Sequence, residues 1–439
     1  MLDDNVPQPW RARTTLVLTL TLVAVGLGNL QRLPYLVGEY GGGAFFLAYV
    51  ASVMLLSVPI LIAEIALGSL GRGSPGLAMH WAASAANVDS RWRHLALLQA
   101  FLGLIMAAMA ALMAVWCCRW AVLIFEGDLA AASVIDVSEI YLEHIEDEPG
   151  QFLGSLALVV ITGCLSALGV RLGMGFLAWA VLPMVAITLL GVLDFIFLYT
   201  DLRSVSEFLF ARDLSAWRLD AIWVALSSAG ITLGAGLGVG MALGAQSPPG
   251  LPWGRSILAV AVLDTAFMIV TAVIVCAALF EANVAPAEGL ATVFIGLAYA
   301  FANLPLGETY GALFYFSMAC IAAGATVILV EPTVLVIGRE WGAGRLGGSI
   351  LAHTLIALIV AICLFFDVAI LANLATLTVD WLIPASLLAM SLFVGWLMPS
   401  PVLRGELYRE PLWLFWLWWR VLRWLIPPVC AAWLIRGLL

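Results

Sequence analysis

Long apolar runs separated by short polar breaks dominate this chain. A helix that crosses a lipid bilayer needs about 20 mostly apolar residues, and eleven runs are long enough. They fall near residues 14–37, 42–69, 93–125, 151–170, 173–200, 221–245, 255–280, 309–337, 346–366, 368–398 and 412–437. The pattern therefore predicts an all-α polytopic membrane protein with eleven transmembrane helices.

The composition supports a membrane location. Of 439 residues, 64% are hydrophobic and 11% are charged, against roughly a quarter charged in an ordinary soluble domain. So few charges could not cover the surface of a water-soluble protein of this size, which excludes a soluble enzyme, a nucleic-acid binder and a secreted scaffold. The seven cysteines all lie in apolar runs without metal-ligand spacing, so we expect them to be buried small hydrophobic residues.

The basic residues, all arginine, are distributed unevenly between the two predicted sides of the membrane. With the N-terminus inside, 13 arginines lie on the inner side and four on the outer side. This bias predicts a cytoplasmic N-terminus. Residues 126–148, on the outer side, carry eight carboxylates and no arginine. They predict a solvated outer helix, with a cation-attracting vestibule as the alternative.

Two predicted spans contain glycine patterns that disfavour a continuous helix. The first reads VAVGLGNLQRLP, from Val23 to Pro34, and the sixth reads ITLGAGLGVG, from Ile231 to Gly240. Glycine weakens a helix, and unwound backbone is tolerated at membrane depth only where it lines a cavity or binds something. Five spans separate the two breaks, as an inverted five-plus-five repeat requires. Glycine-rich packing faces are the alternative for either stretch alone.

This repeat divides the chain into five segments. We expect a cytoplasmic N-terminal segment at 1–13, a first five-helix repeat at 14–200 and an extracellular loop at 201–220. A second, inverted repeat would occupy 221–398, and 399–439 would hold a cytoplasmic loop and the eleventh helix.

Several motifs resemble the neurotransmitter:sodium symporter family. The stretch VGLGNLQRLPYLVGEYGGGAFFLAYV, followed by PILIAEIALGSLGRG, is similar to the first two helices of bacterial members. The opening WRAR, with Trp10 and Arg13, resembles the inner Trp-x-x-Arg motif of the family. The resemblance implies the LeuT fold, a bacterial cytoplasmic (inner) membrane location and sodium-driven uptake of amino acids or related amines.

The resemblance also implies two sodium sites, of which the second is depleted. The first would use Ala24, Asn29, Gly234 and Asp264, where Gly234 replaces a family threonine and Asp264 replaces a family asparagine. Thr232 lies two residues from Gly234. The second site falls on Leu22, Val25, Ile321, Gly324 and Ala325. Because Gly324 and Ala325 stand in for hydroxyl residues, we expect one sodium ion rather than two.

The implied substrate site is wide and aliphatic. Gly26 stands where amine transporters carry aspartate, which matches the amino-acid carriers, and Ala114 replaces a tyrosine that holds the substrate carboxylate. The full set of implied substrate-binding residues is Ala24, Gly26, Leu27, Gly28, Ala110, Ala114, Leu233, Gly236, Val239, Ala325 and Leu329.

Gate and support positions are partly altered. Glu64 matches a helix-two glutamate that holds the broken sixth helix, and Arg32 matches the outer-gate arginine. Arg339 replaces the inner-gate aspartate, so a charge-reversed latch to the acidic N-terminus is an alternative to simple solvation. The other positions in this group are Trp10, Asp380 near the outer gate, and Glu331, which is either a structural hydrogen-bonding residue or a proton-coupling group.

We expect no chloride dependence. Tyr49 is retained, but the other implied chloride positions fall on Gly230, Gly234 and Met268, and Asp264 could supply the negative charge.

Three functions remain open from the sequence. The first is sodium-coupled symport of a hydrophobic amino acid or related zwitterion by alternating access. The second is sodium-independent transport, either proton-coupled through Asp264 or Glu331 or by exchange. The third is a membrane subunit or sensor that keeps the fold without transporting. The expected partners are a small-molecule substrate and the lipid bilayer, with no nucleic acid. Substrate identity and oligomeric state stay open, and no enzyme-like constellation emerges.

Overall fold

The computed structural model describes residues 12–200, 202–210, 219–248, 250–287, 289–366 and 368–437. Within these ranges every regular element is helical. The first half contains α1 (Arg13–Ala24), α2 (Leu27–Glu39), α3 (Gly43–Gly71), α4 (Pro75–Ala85), α5 (Ser90–Glu126), α6 (Val134–Glu146), α7 (Glu148–Ala167), α8 (Val170–Tyr199) and α9 (Leu202–Phe210). The second half contains α10 (Leu219–Thr232), α11 (Val239–Ala245), α12 (Trp253–Glu281), α13 (Thr292–Asn303), α14 (Gly307–Glu340), α15 (Gly344–Phe365), α16 (Ile370–Leu397), α17 (Ser400–Glu406) and α18 (412–436).

Eight of the described helices are long and apolar enough to cross a membrane: α3, α5, α7, α8, α12, α14, α15 and α16. The predicted all-α membrane architecture is therefore confirmed. The predicted count of eleven adds the two broken helices and α18, which are not among these eight, and it stays a prediction. Helix α14 is the most deeply buried of the eight, whereas α7 and α8 expose most of their apolar side chains, as helices at a lipid-facing periphery do.

Both predicted helix breaks are present. Helix α1 ends at Ala24, Val25 and Gly26 leave the helical conformation, and α2 begins at Leu27. In the sixth span, Gly234, Gly236 and Gly238 have φ angles of 70°, 79° and 72°. Side chains disfavour this left-handed region and glycine does not, so the alternating glycines allow the chain to unwind between α10 and α11.

Helix α11, the inner half of the broken sixth span, lies directly against the backbone of α3. A Cβ atom added at Gly68 would lie 2.1 Å from the carbonyl oxygen of Met241, and one added at Gly244 would lie 2.3 Å from that of Ile65. The backbones of α3 and α11 are thus in direct contact, and each helix contributes one glycine, Gly68 in α3 and Gly244 in α11. This contact fixes the inner end of the unwound segment.

The connections between the spans on the predicted outer side contain helices, as predicted for the acidic segment. The acidic segment forms α6, the predicted loop 201–220 contains α9, and α13 lies between the seventh and eighth spans. Asp367, at the predicted ninth–tenth junction, lies outside the described residues.

The close approach of α3 and α11 predicts that Gly68→Ala destabilises the protein. The added methyl group would meet backbone atoms, which cannot move aside as a side chain can, so we expect a cost of about 3 kcal/mol. Gly191→Ala is the matched control, because Gly191 is an exposed residue of α8 with open space around it. Thermal unfolding in one detergent should show a lower midpoint for Gly68→Ala and an unchanged or higher one for Gly191→Ala. Equal midpoints would contradict the packing described here.

Candidate functional site

A cavity of about 350 Å³ lies between the two helix breaks. Helices α1, α2, α5, α10, α14 and α16 form its walls, together with the unwound segments and Leu290. The lining residues are Val23, Ala24, Gly26, Arg32, Leu33, Leu36, Met106, Met109, Ala110, Leu112, Met113, Ser228, Ile231, Thr232, Gly234, Leu237, Leu290, Ile321, Ala322, Ala325, Leu329, Leu371, Ala375 and Val379.

Some of the predicted substrate-site and ion-site residues line this cavity and others do not. The predicted substrate residues that line it are Ala24, Gly26, Ala110, Ala325 and Leu329. The predicted ion-site residues that line it are Gly234 and Ile321, together with Ala24 and Ala325, which belong to both predicted sets. The predicted residues that are buried and do not line it are Ala114, Leu233, Gly236 and Val239 among the substrate set, and Leu22, Val25, Asp264 and Gly324 among the ion set. Leu27 and Gly28 start α2, but their side-chain positions, and that of Asn29, lie outside the described residues.

Sequence reasoning missed the methionine-rich wall of the cavity. Met106, Met109, Ala110 and Met113 line it from α5. Their spacing of three, four and seven residues places them on one helix face, and this pattern was visible in the sequence. Unbranched methionine side chains fill irregular apolar space and adapt to different ligands.

The described lining is apolar apart from three side chains. Arg32 supplies its only charge, while Ser228 and Thr232 contribute hydroxyl groups from α10. Leu371, Ala375 and Val379 line the cavity from α16, whereas Asp380 lies beside this face without lining the cavity. The assignment of Arg32 and Asp380 to the outer gate therefore stays a prediction.

Three buried polar side chains connect the sixth and seventh spans to α3. The hydroxyl of Tyr49 donates to Thr232 Oγ1 at 3.0 Å, and Thr232 Oγ1 donates to Asp264 Oδ2 at 3.4 Å. Asp264 lies fully buried on α12. The hydroxyl beside Asp264 thus comes from Thr232 rather than from position 234. Gly234 approaches α1 closely, since a Cβ added there would lie 2.8 Å from Val23.

The oxygen atoms of the predicted first sodium site that the structure describes are suitable ligands for a hard cation. Asp264 offers carboxylate oxygens beside the Thr232 hydroxyl, and the Ala24 carbonyl lies at the end of α1, where it accepts from the amide of Gly26 at 2.8 Å. Hard cations such as sodium favour oxygen ligands of these types. A carbonyl oxygen has two lone pairs, so the contact to Gly26 leaves capacity for a ligand.

The predicted second sodium site does not fit an ion equally well. Gly324 and Ala325 carry no side-chain oxygen, and the side chain of Leu22 packs against Gly324, 2.6 Å from where a Cβ would be. The hydroxyl of Thr326 donates to Ala322 of its own helix at 2.9 Å. Only carbonyl groups remain there, beside an aliphatic side chain.

Glu64 holds the unwound segment of the sixth span. Its carboxylate accepts from the amides of Gly236 at 2.9 Å and Gly240 at 3.2 Å. Two further residues hold the same segment, and sequence reasoning missed both. Gln99 on α5 donates to Ser386 on α16 at 3.0 Å, and the Ser386 hydroxyl donates to the Gly236 carbonyl at 2.8 Å.

Glu331 forms a buried ion pair that the sequence reasoning did not include. Arg345 donates to its two carboxylate oxygens at 2.7 and 2.9 Å, and Gln246 donates to Oε1 at 2.9 Å. Arg345 also donates to the carbonyl of Ser166 at 3.0 and 2.6 Å. These hydrogen bonds form one polar cluster, which connects helices α7, α14 and α15 with the segment that follows α11.

The predicted inner latch lies mostly outside the described residues. Arg339 is half-buried near the end of α14, but Trp10 and the acidic N-terminal residues are not described. The neighbouring Glu340 accepts from the Ser74 hydroxyl and lies 3.9 Å from Arg93.

Comparisons with known proteins agree with the fold and with the helix-one motif. The model of the Sodium:neurotransmitter symporter family matches residues 8–118. An uncharacterized sodium-dependent transporter, YhdH of Bacillus subtilis (strain 168), is 23% identical over 97% of this chain and 96% of its own length. An uncharacterized sodium-dependent transporter of Methanocaldococcus jannaschii is 22% identical over 96% of this chain and 88% of its own length.

A solved structure has the same fold. The crystal structure of MhsT in complex with L-phenylalanine matches with a TM-score of 0.86 and 23% identity, over 98% of this chain and 99% of that chain. The matches together confirm the predicted resemblance to the symporter family and the predicted LeuT fold.

The cluster around Glu331 predicts that Arg345→Met destabilises the protein by about 3–5 kcal/mol, because it leaves a buried carboxylate without its cation. Arg255→Met is the control, because it removes an arginine side chain at an exposed position of α12. Adding Glu331→Met to Arg345→Met should restore much of the lost stability. Thermal unfolding of all four proteins measures this, and a double variant no more stable than Arg345→Met would argue against the ion pair.

Proposed function

We propose that this protein is a secondary transporter that couples sodium to the uptake of a hydrophobic amino acid or related zwitterion by alternating access. The observation that carries the proposal is the buried Asp264 carboxylate, hydrogen-bonded to Thr232 beside the cavity between the two helix breaks. A polar group buried in a membrane protein is costly and marks an ion or substrate pathway.

One sodium ion would bind at Ala24, Asn29 and Asp264, with Thr232 rather than Gly234 supplying the hydroxyl. The full negative charge of Asp264 would balance the cation, so chloride would not be required. The names of the two long relatives, both sodium-dependent transporters, support sodium as the coupling ion. The loss of hydroxyl ligands at Gly324 and Ala325 supports one ion rather than two.

The substrate would be a zwitterion with an apolar side chain. Its carboxylate would meet the backbone amides at the start of α2, around Leu27 and Gly28, where a helix N-terminus favours negative charge. The side chain would occupy the wall formed by Met106, Met109 and Met113. The bound L-phenylalanine of MhsT supports an amino acid of this class.

Alternating access would move the two broken helices, together with α3 and α12, against the remaining helices. Ligand binding shifts such an equilibrium only through its different affinity for the two states. The bond from Gln246, just after α11, to Glu331 on α14 spans the two moving parts and would break on inward opening. The arginine distribution would place the N-terminus in the cytoplasm, and the family resemblance would place the protein in the bacterial inner membrane.

Sodium-independent transport is the second candidate. It is favoured by the aliphatic second site, where Leu22 packs on Gly324. A proton on Asp264 would then neutralise the carboxylate in place of sodium. Glu331 is less suited to this role, because Arg345 already neutralises it.

Thermal unfolding against a panel of amino acids and amines, in sodium and in choline at equal ionic strength, tests the function. A ligand that binds only the folded protein stabilises it by about 2.7 kcal/mol at 100 times its dissociation constant. We expect stabilisation by hydrophobic amino acids in sodium and not in choline. Equal stabilisation in both salts would favour the second candidate. No response to any compound would favour a non-transporting subunit or sensor.

Single substitutions then locate the ion. We expect Asp264→Asn, Thr232→Val and Asn29→Ala each to weaken the sodium-dependent stabilisation by about tenfold or more in apparent affinity, since each removes an oxygen ligand or its charge. Thr271→Val is the matched control, because the Thr271 hydroxyl is equally buried on α12 and bonds only to carbonyls of its own helix, those of Phe267 and Met268. A sodium response that Asp264→Asn leaves unchanged would place the ion elsewhere.

A further inference from the structure

A second cavity, of about 430 Å³, lies apart from the proposed transport site, at the predicted outer end of α5. Helix α5, the end of α6 and the start of α7 form its walls. Its lining includes the charged or imidazole side chains of Arg119, Glu126, His144 and Asp147, and its apolar walls include Val115 and Val122. Nothing in the transport mechanism uses these groups.

The cavity opens on a surface that combines charge with exposed apolar side chains. Val115, Arg119, Val122 and Glu126 follow one another at spacings of four, three and four residues, so they share one face of α5. Val122 is 52% exposed and Leu153, on the adjoining α7, is 68% exposed. An exposed apolar surface on two spanning helices faces lipid, and Arg119 lies about 10 Å along the helix from Glu126 at its outer end.

The buried side chain of His144 also indicates that a ligand binds in this cavity. Its side chain is 2% exposed and lines the cavity, yet neither ring nitrogen has a hydrogen-bond partner among the described residues. Burial, with a smaller contribution from nearby Arg119, lowers the pKa of His144 to about 4, while Asp147 acts in the opposite direction. At neutral pH the ring is therefore neutral and offers one N–H donor and one acceptor.

The ring is held in place before any ligand binds. Trp116 and Trp120 lie edge-to-face with it, each at a centroid distance of 5.1 Å. The side-chain amide of Gln151 donates to the carbonyl of His144 at 2.7 Å and accepts from the Trp116 indole at 2.8 Å. A buried polar group that is fixed in position and lacks a partner is costly, and a ligand that supplies one would offset that cost.

We propose that this cavity binds the headgroup of a zwitterionic phospholipid that carries a phosphate and a primary ammonium group. The phosphate would accept from the Arg119 guanidinium and the His144 N–H, because guanidinium–phosphate hydrogen bonds are among the strongest in proteins. The ammonium would donate to Glu126 and to Asp147, of which one oxygen already accepts from Gly150 at 3.1 Å. The acyl chains would lie along the exposed apolar surface that includes Val122 and Leu153.

Native mass spectrometry of the purified full chain tests this, with phosphatidylethanolamine and phosphatidylglycerol as probes. The wild-type protein should bind phosphatidylethanolamine more tightly, because phosphatidylglycerol has no ammonium group. Arg119→Gln should weaken binding of both lipids by about tenfold or more, the equivalent of one charge-assisted hydrogen bond. Arg255→Gln, which alters an exposed arginine at the start of α12, is the control and should bind both lipids normally.

Two further variants test the individual contacts. Glu126→Gln should weaken phosphatidylethanolamine selectively, so that the preference between the two lipids falls, whereas Glu139→Gln on the exposed surface of α6 should leave the preference unchanged. His144→Phe keeps the aromatic packing and removes the ring nitrogens, and it should weaken both lipids. Unfolding midpoints equal to wild type would show that each variant is folded.

Several results would overturn the proposal. One is equal lipid binding by wild type and Arg119→Gln with both folded, and another is no preference of the wild type between the two lipids. Free phosphoethanolamine, added as a competitor, separates the possible sources of the headgroup. If it displaces the lipid at concentrations similar to those at which the lipid binds, the site recognises a soluble zwitterion and the lipid assignment is wrong.

Discussion

The fold depends on hydrogen bonds to the backbone amides and carbonyls that two interrupted helices leave without helical partners in the middle of the molecule. In a bilayer, an amide without a hydrogen-bond acceptor costs several kcal/mol. Glu64 accepts these hydrogen bonds in the sixth span, since its carboxylate accepts from the amide of Gly236 within the break and from that of Gly240 in the first turn of α11. Ser386 supplies the matching donor to the carbonyl of Gly236. The unwound segment is therefore fixed from both sides and is able to form a cavity wall.

The position of the cavity follows from this constraint. Because the chain unwinds between α10 and α11, the end of α10 turns its hydroxyl side chains towards the space beside the first break. Thr232 consequently lies between Tyr49 and Asp264 and also lines the cavity. Thr232 thus contacts both the buried carboxylate and the cavity, so it would connect the proposed ion site with the proposed substrate site.

Some of these features could be predicted from the sequence and others could not, and the difference has physical reasons. Clustered glycines are a local signal, so both breaks could be predicted directly from the chain, whereas the role of Glu64 was predicted from the family resemblance. The hydroxyl beside Asp264 could not, because residues in an unwound segment do not follow the helical period, and counting from the motif gave Gly234 instead of Thr232. Arg345 was missed for another reason. It pairs with Glu331 across a turn between two helices, and a single sequence carries no signal for such a partner.

The two predicted ion sites differ in a way that affects the energetics of the proposed cycle. At the second site, Leu22 packs on Gly324, and no hydroxyl remains to complete a cage. At the first site, Asp264 carries the charge that would neutralise one sodium ion. Moving one charge across 100 mV is worth about 2.3 kcal/mol, so a carrier with one ion could concentrate its substrate far less than a carrier with two. A buried carboxylate without a cation is also costly. The empty carrier would therefore return most easily with a cation on Asp264, and sodium and protons would compete for the same residue.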